Sequence, residues 1–474
     1  MSKFIVSILA MSILSACTVG PNYKPEEAGL PEGLQASFHA EHESGDVLSA
    51  QQHFWQGFED PLLEQLVYQA LQTNRTLMDG LARYEQANAL LGGARRSQLP
   101  SVTTTATASE TRPSNLERAA TGAPASVETY QAGIVASWEL DLFGRLRRIR
   151  EAHAAELEAA GADLEAMRIA MVGDLASSYF RLRGLQAQYD VANQNVALYE
   201  TSLGIISASV DAGRGTDFDR LRARAQHEQS RAALPSLRAA IRVEMHRIAV
   251  LTGQQPGALV EILSEPQSLP LTVPVIPVDS PGELLRRRPD VLAAEQRLAA
   301  ATARIGVATA DLFPRFTLGG LIGSSASSTS DLFSAPAEYR SAALGVDWAF
   351  LDHGQVRARI EAADAQSRAS LAGYQQTILN ALEEVENRIV QYSQIQQQLQ
   401  LLVQAEALAH QATTLARTRH ENGLIAYFEV LNAEQELAAA REAAAQSRTA
   451  QVVAMVDLYR ALAGPPDTVS FAQL

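Results

Sequence analysis

The hydrophobic and polar positions divide the chain into helical stretches of very unequal length. From Pro61 to about Leu99 the apolar residues recur at the spacing of a helix. Two much longer stretches, about 145–211 and 355–422, contain no proline and are rich in alanine, glutamate, arginine, leucine and glutamine, which favour helices. We therefore predict two single helices, each roughly 100 Å long at about 1.5 Å per residue.

A glycine-containing break follows each long helix. Gly213 and Gly423 occupy the two breaks, and glycine commonly ends a helix because it adopts left-handed backbone angles without strain. Shorter partner helices are predicted beyond the breaks, over about 218–251 and 427–462. Pro235 lies inside the first of these and is expected to kink or divide it.

Four runs of alternating apolar and polar residues lie between the helices. The predicted strands cover about 101–110, 129–141, 315–323 and 339–351. Such runs, with one apolar and one polar face, are typical of membrane-spanning β-strands, and Trp138 and Trp348 are the candidates for interfacial aromatic positions. A membrane sheet has to close, and four strands are too few for a barrel, whereas two copies of the chain supply eight and three copies twelve. The alternative is a half-buried hairpin on a soluble domain.

The chain is internally duplicated. Residues 138–147, starting at Trp138, align without a gap with residues 348–357, starting at Trp348, an offset of 210 residues. The same offset pairs Gly213 with Gly423. The predicted organisation is a first repeat over 61–253, a proline-rich linker over 254–280, a second repeat over 281–464 and a tail over 465–474.

The first residues resemble a bacterial lipoprotein signal. A lysine near the start is followed by an apolar run and by Leu14-Ser-Ala-Cys17, and the run is too short for a membrane-spanning helix. We predict a signal peptide over residues 1–16, a covalent lipid on Cys17 and a lipid-anchored segment over 17–60. Thr18, where an aspartate would retain the protein in the inner membrane, favours the outer membrane. The alternative is a soluble exported protein with an incidental buried cysteine.

Composition excludes several functional classes. The 474-residue chain carries a formal net charge of −14, whereas a nucleic-acid binder needs clustered cations to neutralise phosphates. A single cysteine rules out a disulfide framework and cysteine-built metal sites. The nine histidines show no zinc-binding pattern, and no phosphate-binding glycine loop is present. We therefore expect no catalytic residue, no metal and no cofactor besides the lipid on Cys17, so that energy for transport comes from a partner.

Five motifs point to a known family. They are Cys17-Thr-Val-Gly20-Pro21-Asn-Tyr23, Phe54-Trp55, Arg288-Pro289-Asp290-Val291, Ala310-Asp311-Leu-Phe313-Pro314 and Asn380-Ala-Leu-Glu-Glu384. Together they resemble the TolC/OprM-type outer-membrane efflux proteins, specifically their lipoprotein (NodT-like) branch, over nearly the whole mature chain. The resemblance implies a homotrimer with a twelve-stranded barrel and an α-helical tunnel, docked to an inner-membrane RND-type transporter through a periplasmic adaptor protein.

The resemblance also implies a gate near the periplasmic helix–turn–helix tips. Matching the turns places Asp219 beyond the first tip and His420, Glu429 and Asn432 around the second. Glu429 falls where family members carry an acidic ring residue, and three copies of it would concentrate cations. Ile425 falls where some members carry an arginine that locks the closed state, so we hypothesise that His420 with Asp219 replaces that lock, more strongly when the histidine is protonated. The alternative for each polar residue is a solvated helix tip.

These observations predict a mainly α chain with a membrane β-barrel, internally duplicated, with a long helical tube and four strands per chain that complete a trimeric twelve-stranded barrel. The predicted function is a passive exit duct in the outer membrane, extending into the periplasm, for small toxic compounds or drugs. A duct for protein secretion is the runner-up within the channel class. A lipid-anchored periplasmic coiled-coil scaffold without a pore and an envelope enzyme are the competitors from other classes.

Overall fold

Long helices and one four-stranded sheet make up the part of the chain that the computed structural model describes, residues 18–25, 54–122, 124–270 and 285–462. In chain order the helices are α1 (Pro61–Thr73), α2 (Arg75–Arg96), α3 (Asn115–Thr121), α4 (Arg145–Asp211), α5 (Asp217–Leu251), α6 (Val260–Ser264), α7 (Pro289–Ala310), α8 (His353–Glu421) and α9 (Tyr427–Ala461). The strands are β1 (Ser101–Thr111), β2 (Val127–Leu140), β3 (Arg315–Ala326) and β4 (Glu338–Asp347). Cys17, the predicted signal peptide 1–16, the tail 465–474 and parts of the N-terminal segment and linker lie outside the described residues.

A short break divides the first predicted helix in two. The periodicity of residues 61–99 predicts one helix, but α1 and α2 are separated by Asn74, whose backbone is extended with φ −65° and ψ 126°. The side-chain oxygen of Asn74 accepts hydrogen bonds from the backbone N–H groups of Thr76 and Leu77. The prediction of a single helix was wrong, because an asparagine side chain caps a new helix in the middle of the apolar repeat.

The two long helices run without interruption to the predicted glycine breaks. Gly213 follows α4 and Gly423 follows α8, with φ of 70° and 71°, which confirms the left-handed helix ends. Pro235 does not divide α5, contrary to one of the two expectations. It lies on an exposed side of that helix, where water can bond to the carbonyl that proline leaves without a donor.

The strands form one antiparallel sheet in the order β1-β2-β3-β4. The central pair, β2 and β3, joins the two repeats, with Ile134 opposite Ile322. Within the described residues, β1 and β4 each pair with a strand on one side only. The sheet therefore ends in two open edges.

β4 is shorter than predicted. The alternation extends over 339–351, but β4 ends at Asp347, which lies opposite Arg315, the first residue of β3. Trp348 therefore lies beyond the strand, because β3 offers no further residue to pair with. β3 in turn continues to Ala326, past the predicted end near residue 323.

The described chain forms two units. The sheet unit comprises residues 18–25, Arg83–Gly161 and Ala293–Gln375, and the helical unit comprises the remaining described residues. The core of the helical unit is built from fully buried side chains, including Leu63, Leu66, Leu175, Tyr179, Phe180, Ile248, Leu263 and Val456. None of the described helices combines the length and the apolar character needed to cross a membrane.

Candidate functional site

The sheet has one apolar face and one polar face. The strand register places the large exposed apolar side chains on the first face: Val102, Ile134, Trp138, Leu318, Ile322, Leu344 and Val346. The register places mainly small and polar side chains on the other face, with Val135 and Leu321 among them: Thr103, Thr105, Thr107, Gln131, Ser137, Thr317 and Ser341. An apolar face of this extent is costly in water. The division fits strands that face hydrocarbon on one side and water on the other.

Trp138 and Trp348 occupy equivalent places in the two repeats. The indole N–H of Trp138 donates to the carbonyl of Gln98, and that of Trp348 donates to the carbonyl of Leu312, both at 3.0 Å. Each acceptor lies two residues before the proline of the turn that leads into β1 or β3. The two tryptophans remain 38% and 51% exposed. An exposed ring with a satisfied N–H suits a membrane–water interface, and the interfacial role of the two tryptophans stays a prediction.

Side-chain contacts order the long helices of the helical unit. Arg181 on α4 pairs with Glu244 on α5 at 3.1 Å. α4 lies so close to α9 that a Cβ atom at Gly184 would overlap the side chain of Thr449. α9 is joined to α8 by pairs such as Arg448–Glu406, 3.2 Å. The helices therefore follow one another as α5-α4-α9-α8.

Apolar side chains recur at every seventh residue on an exposed side of α8. Leu401, Leu408 and Leu415 are 67%, 65% and 65% exposed. A seven-residue repeat of leucines is the pattern by which helices pack in coiled coils. The outermost helix α8 therefore presents a packing surface that the described part of the chain does not cover.

A buried carboxylate joins three of these helices near the second tip, which is the turn between α8 and α9. Glu434 on α9 is 1% exposed. It accepts a hydrogen bond from Ser202 Oγ on α4 at 2.6 Å, and from Nε and Nη2 of Arg417 on α8 at 3.1 and 2.8 Å. The hydroxyl of Tyr427 donates to Ser202 at 2.9 Å, and burial raises the pKa of this phenol. Removing one partner of a buried charge pair is strongly destabilising, so this node holds α4, α8 and α9 together.

Sequence reasoning missed Glu434, although a signal was available. The residue lies at helical spacing among buried apolar positions of α9, including Val430, Leu431, Leu437 and Ala438. A lone carboxylate in an apolar seam has to find a polar partner, because its desolvation is costly. No pattern pointed to Ser202, which lies 232 residues away in the sequence.

Asp219 caps its own helix. The backbone N–H of Thr216 donates to the carboxylate of Asp219 at 3.1 Å, and the backbone N–H of Asp219 donates to the hydroxyl oxygen of Thr216 at 3.3 Å. This reciprocal arrangement is a capping box at the start of α5. Hydrogen bonds from the Thr216 side chain and backbone lower the pKa of Asp219.

His420 and Asp219 are not brought together within the chain. Nδ1 of His420 lies 3.1 Å from the carbonyl oxygen of Ile425, and the imidazole meets the ring of Tyr427 edge to face, with centroids 5.1 Å apart. Among the described residues the hydrogen bonds of Asp219 are with Thr216. The substitute lock has no direct contact in one chain and stays a prediction. The remaining gate candidates lie in the first turns of α9, where Glu429 is exposed and Asn432 is partly buried.

The Arg288-Pro289-Asp290 motif is an anchor within the helical unit. The guanidinium of Arg288 donates to the carbonyl of Ala461 at 2.7 Å, to the carboxylate of Asp290 at 3.0 and 2.7 Å, and to Glu384 at 2.8 Å. It thereby ties the start of α7 to the last turn of α9 and to α8. In the described part of the chain, no three histidine, cysteine, aspartate or glutamate side chains are arranged to hold a metal ion.

Known proteins resemble this chain over almost its full length. A family model described as outer membrane efflux protein matches residues 66–254 and 280–464. The toluene efflux pump outer membrane protein TtgF of Pseudomonas putida is 30% identical, with 99% of this chain and 98% of TtgF covered. Nodulation protein T of Rhizobium leguminosarum bv. trifolii is 29% identical, with 92% and 91% covered. The structure of the outer-membrane channel OprN is 38% identical, with a TM-score of 0.85 and 94% and 99% covered.

The comparisons confirm the predicted fold class, since a mainly helical chain with a four-stranded sheet shares the fold of outer-membrane efflux channels. They also confirm the predicted outer-membrane location and passive transport, and they decide against the scaffold and the envelope enzyme. The chain belongs to the outer membrane efflux protein family and is the outer-membrane channel of an efflux pump, not an enzyme.

Proposed function

We propose that three copies of this chain form a duct through which an inner-membrane RND-type transporter, coupled by a periplasmic adaptor protein, expels small toxic compounds. The observation that carries the proposal is the sheet with one apolar face and two open edges. In a membrane each open edge needs a partner, because unpaired backbone groups cannot bond to water there.

The number of copies follows from the width of the barrel. β1 and β4 form the two edges of the sheet, so in the proposed assembly β4 of one copy pairs with β1 of the next and each added copy brings four strands. Two copies would close an eight-stranded barrel, whose interior is filled by side chains or holds one small ligand but leaves no open channel. Three copies close a twelve-stranded barrel with room for an open passage. The exposed leucines of α8 give the helices a matching surface for a neighbouring copy.

Glu429 is the residue that we propose as the lining of the periplasmic gate, with Asp219, His420 and Asn432 around it. Its carboxylate is exposed near the start of α9. Three copies around a common axis would form a ring of negative charge, which attracts cations and repels anions. Cys17 is proposed to carry the covalent lipid that anchors each copy in the outer membrane.

The class of compound that the duct carries is proposed from the name of a relative. TtgF, 30% identical to this chain, is named as part of a toluene efflux pump. Small apolar compounds are therefore the first class to test, with protein secretion as the competing outcome.

The duct is tested by electrical recording and electron microscopy of the purified full chain. We expect elongated threefold particles, and channels with a preference for cations after reconstitution in planar bilayers. Glu429→Gln should reduce that preference, whereas Glu442→Gln, which also removes an exposed carboxylate of α9, should not. Rod-like dimers or monomers without conductance would overturn the trimeric duct, and equal effects of the two variants would remove Glu429 from the gate.

The cargo is tested in a Gram-negative host that lacks its own efflux channel but keeps an RND-type transporter and adaptor. Expression of the chain should restore tolerance to toluene. Restored secretion of a protein substrate without restored tolerance would favour the runner-up instead.

A further inference from the structure

The described N-terminal segment, residues 18–25, is held by a buried arginine. Arg148, in the first turn of α4, is 1% exposed. Its Nε donates to the carbonyl of Val19 at 3.1 Å. Its Nη2 donates to the carbonyl of Gly20 at 3.1 Å and to the side-chain oxygen of Asn22 at 2.7 Å. Three hydrogen bonds from one side chain thus fix the path of four consecutive residues.

Further contacts also hold residues 18–25, and together with the hydrogen bonds of Arg148 they form what we call the clamp. Nη1 of Arg148 pairs with Glu151, one turn along α4, at 2.8 Å, so the buried cation has a counter-charge outside the segment. The backbone N–H of Val19 donates to the carbonyl of Phe143 at 3.1 Å. The hydroxyl of Tyr23 donates to Glu295 on α7 at 3.0 Å. The segment is therefore hydrogen-bonded to the turn before α4, to α4 itself and to α7.

Two glycines leave the space that the clamp occupies. A Cβ atom at Gly20, whose φ is 87°, would overlap the backbone of Gly306 on α7. A Cβ atom at Gly306 would lie 2.7 Å from Nε of Arg148, closer than van der Waals contact allows. A side chain at Gly306 therefore forces the side chain of Arg148, or the backbone that carries it, to shift.

The clamp ends next to the sheet. A Cβ atom at Gly144 would lie 2.7 Å from Cγ2 of Thr18, so Thr18 packs against the turn between β2 and α4. Trp138 lies two residues before Leu140, the last residue of β2, and therefore on the same face of the strand as Leu140. Cys17 lies outside the described residues, but it is bonded to Thr18, and neighbouring Cα atoms are about 3.8 Å apart. The clamp therefore brings Thr18, the residue that follows Cys17 in the chain, close to the end of the sheet that carries the tryptophan.

We propose that Arg148 is a positioning residue for the lipid anchor. By holding residues 18–22 against α4, it keeps the covalent lipid and the tryptophan-bearing end of the sheet at one depth in the membrane. Without it, the segment loses the three hydrogen bonds that fix residues 19–22, and the position of the lipid is coupled less tightly to the sheet. The proposal rests on lipidation of Cys17, which the experiment checks separately.

A spin label tests the clamp in the lipidated full chain. Cys17 is the only cysteine, so in a Lys24→Cys variant a nitroxide label attaches at position 24 alone when Cys17 carries lipid. The protein is assembled in lipid nanodiscs, and the label is followed by its mobility and by its collisions with oxygen and with a water-soluble nickel complex. We expect an immobilised label at a single depth and one label per chain.

Two substitutions should release the segment, each with a matched control. Arg148→Gln removes the cation, and Arg150→Gln removes an exposed cation two residues away that has only a 3.5 Å contact with Gln98. Gly306→Ala displaces Arg148 although alanine favours the helix, and Gly93→Ala is its control, since a Cβ atom at Gly93 meets nothing within 4 Å.

We expect both test variants to lose the immobilised signal and the single depth, with label count and assembly unchanged, while both controls keep the parent spectrum. Any fall in unfolding temperature should accompany the release, because Arg148 is buried. Gly306→Ala decides the matter if Arg148→Gln does not accumulate. An immobilised label in both test variants, or a fall in unfolding temperature without release of the label, would overturn the positioning role. Two labels per chain in the parent would instead show a free Cys17 thiol and overturn the lipid anchor itself.

Discussion

The approach of α4 to α9 at Gly184 makes a steric prediction. A Cβ atom at Gly184 would lie 2.6 Å from Cβ of Thr449 and still closer to its Oγ1 and Cγ2, whereas ordinary contact begins at 3.4 Å. Gly184→Ala therefore requires the helices to move apart by about 1 Å. Overpacking a tight site costs up to about 3 kcal/mol, and the better helix propensity of alanine returns about 1 kcal/mol. We expect a net loss of about 2 kcal/mol.

Thermal unfolding, followed by the loss of helical circular dichroism at one scan rate, measures this loss. A loss of 2 kcal/mol corresponds to a fall of about 4 °C or more for a unit of this size. Gly204→Ala is the control, because it lies on the same helix and its Cβ atom meets nothing within 4 Å. It should unfold at or above the parent temperature.

A size swap identifies the cause. In the double variant Gly184→Ala with Thr449→Gly, all three overlapping atoms are gone and the helix-propensity change at the second site is only a few tenths of a kcal/mol. We expect it to recover most of the lost stability. If Gly184→Ala unfolds at the temperature of Gly204→Ala, the close approach of α4 to α9 is absent and the reasoning is refuted.

Three further predictions concern the sheet, the buried node and the first tip. Ile134→Lys places a charge on the apolar face of β2 and should cost about 2–4 kcal/mol in the membrane, seen as loss of assembled protein from outer-membrane fractions, whereas Val135→Lys on the other face should assemble. Glu434→Ala should destabilise the second tip by about 3 kcal/mol. This is the low end for a broken buried pair, because the side chain of Arg417 is half-exposed. The rate of amide hydrogen exchange at the second tip should rise about 100-fold. Asp219 has a lowered pKa, so its carboxylate stabilises α5 fully above the ordinary aspartate pKa of about 3.9. This stabilisation is lost as the pH falls through the lowered pKa. The difference in unfolding temperature between the parent and Asp219→Asn should therefore shrink as the pH falls below the ordinary aspartate pKa.

Each of these has an outcome that contradicts it. Equal assembly of the two lysine variants would mean that the sheet does not face hydrocarbon on one side. Unchanged amide exchange in Glu434→Ala would mean that the node does not hold the second tip. A difference between the parent and Asp219→Asn that is the same at every pH would mean that the carboxylate contributes nothing as a charged cap.

Local patterns in the sequence determined the elements and their faces. Proline-free runs of helix formers predicted α4 and α8, because helix formation depends on residues within a few positions of one another. Alternation predicted the four strands and placed Ile134 and Leu344 on one face, since side chains of a strand point to opposite sides in turn. Gly213 and Gly423 marked the helix ends for the same local reason. The duplication and the efflux family were visible at this level as well.

Only the tertiary structure decided the pairings. β4 ends before Trp348 because β3 has no further residue to pair with. Glu434 meets Ser202 across 232 residues of sequence, and Arg148 meets Gly20 across 128. A single chain carries no pattern that specifies such contacts, because a buried charge is stabilised by whichever distant groups the packing of the helices brings within hydrogen-bond distance.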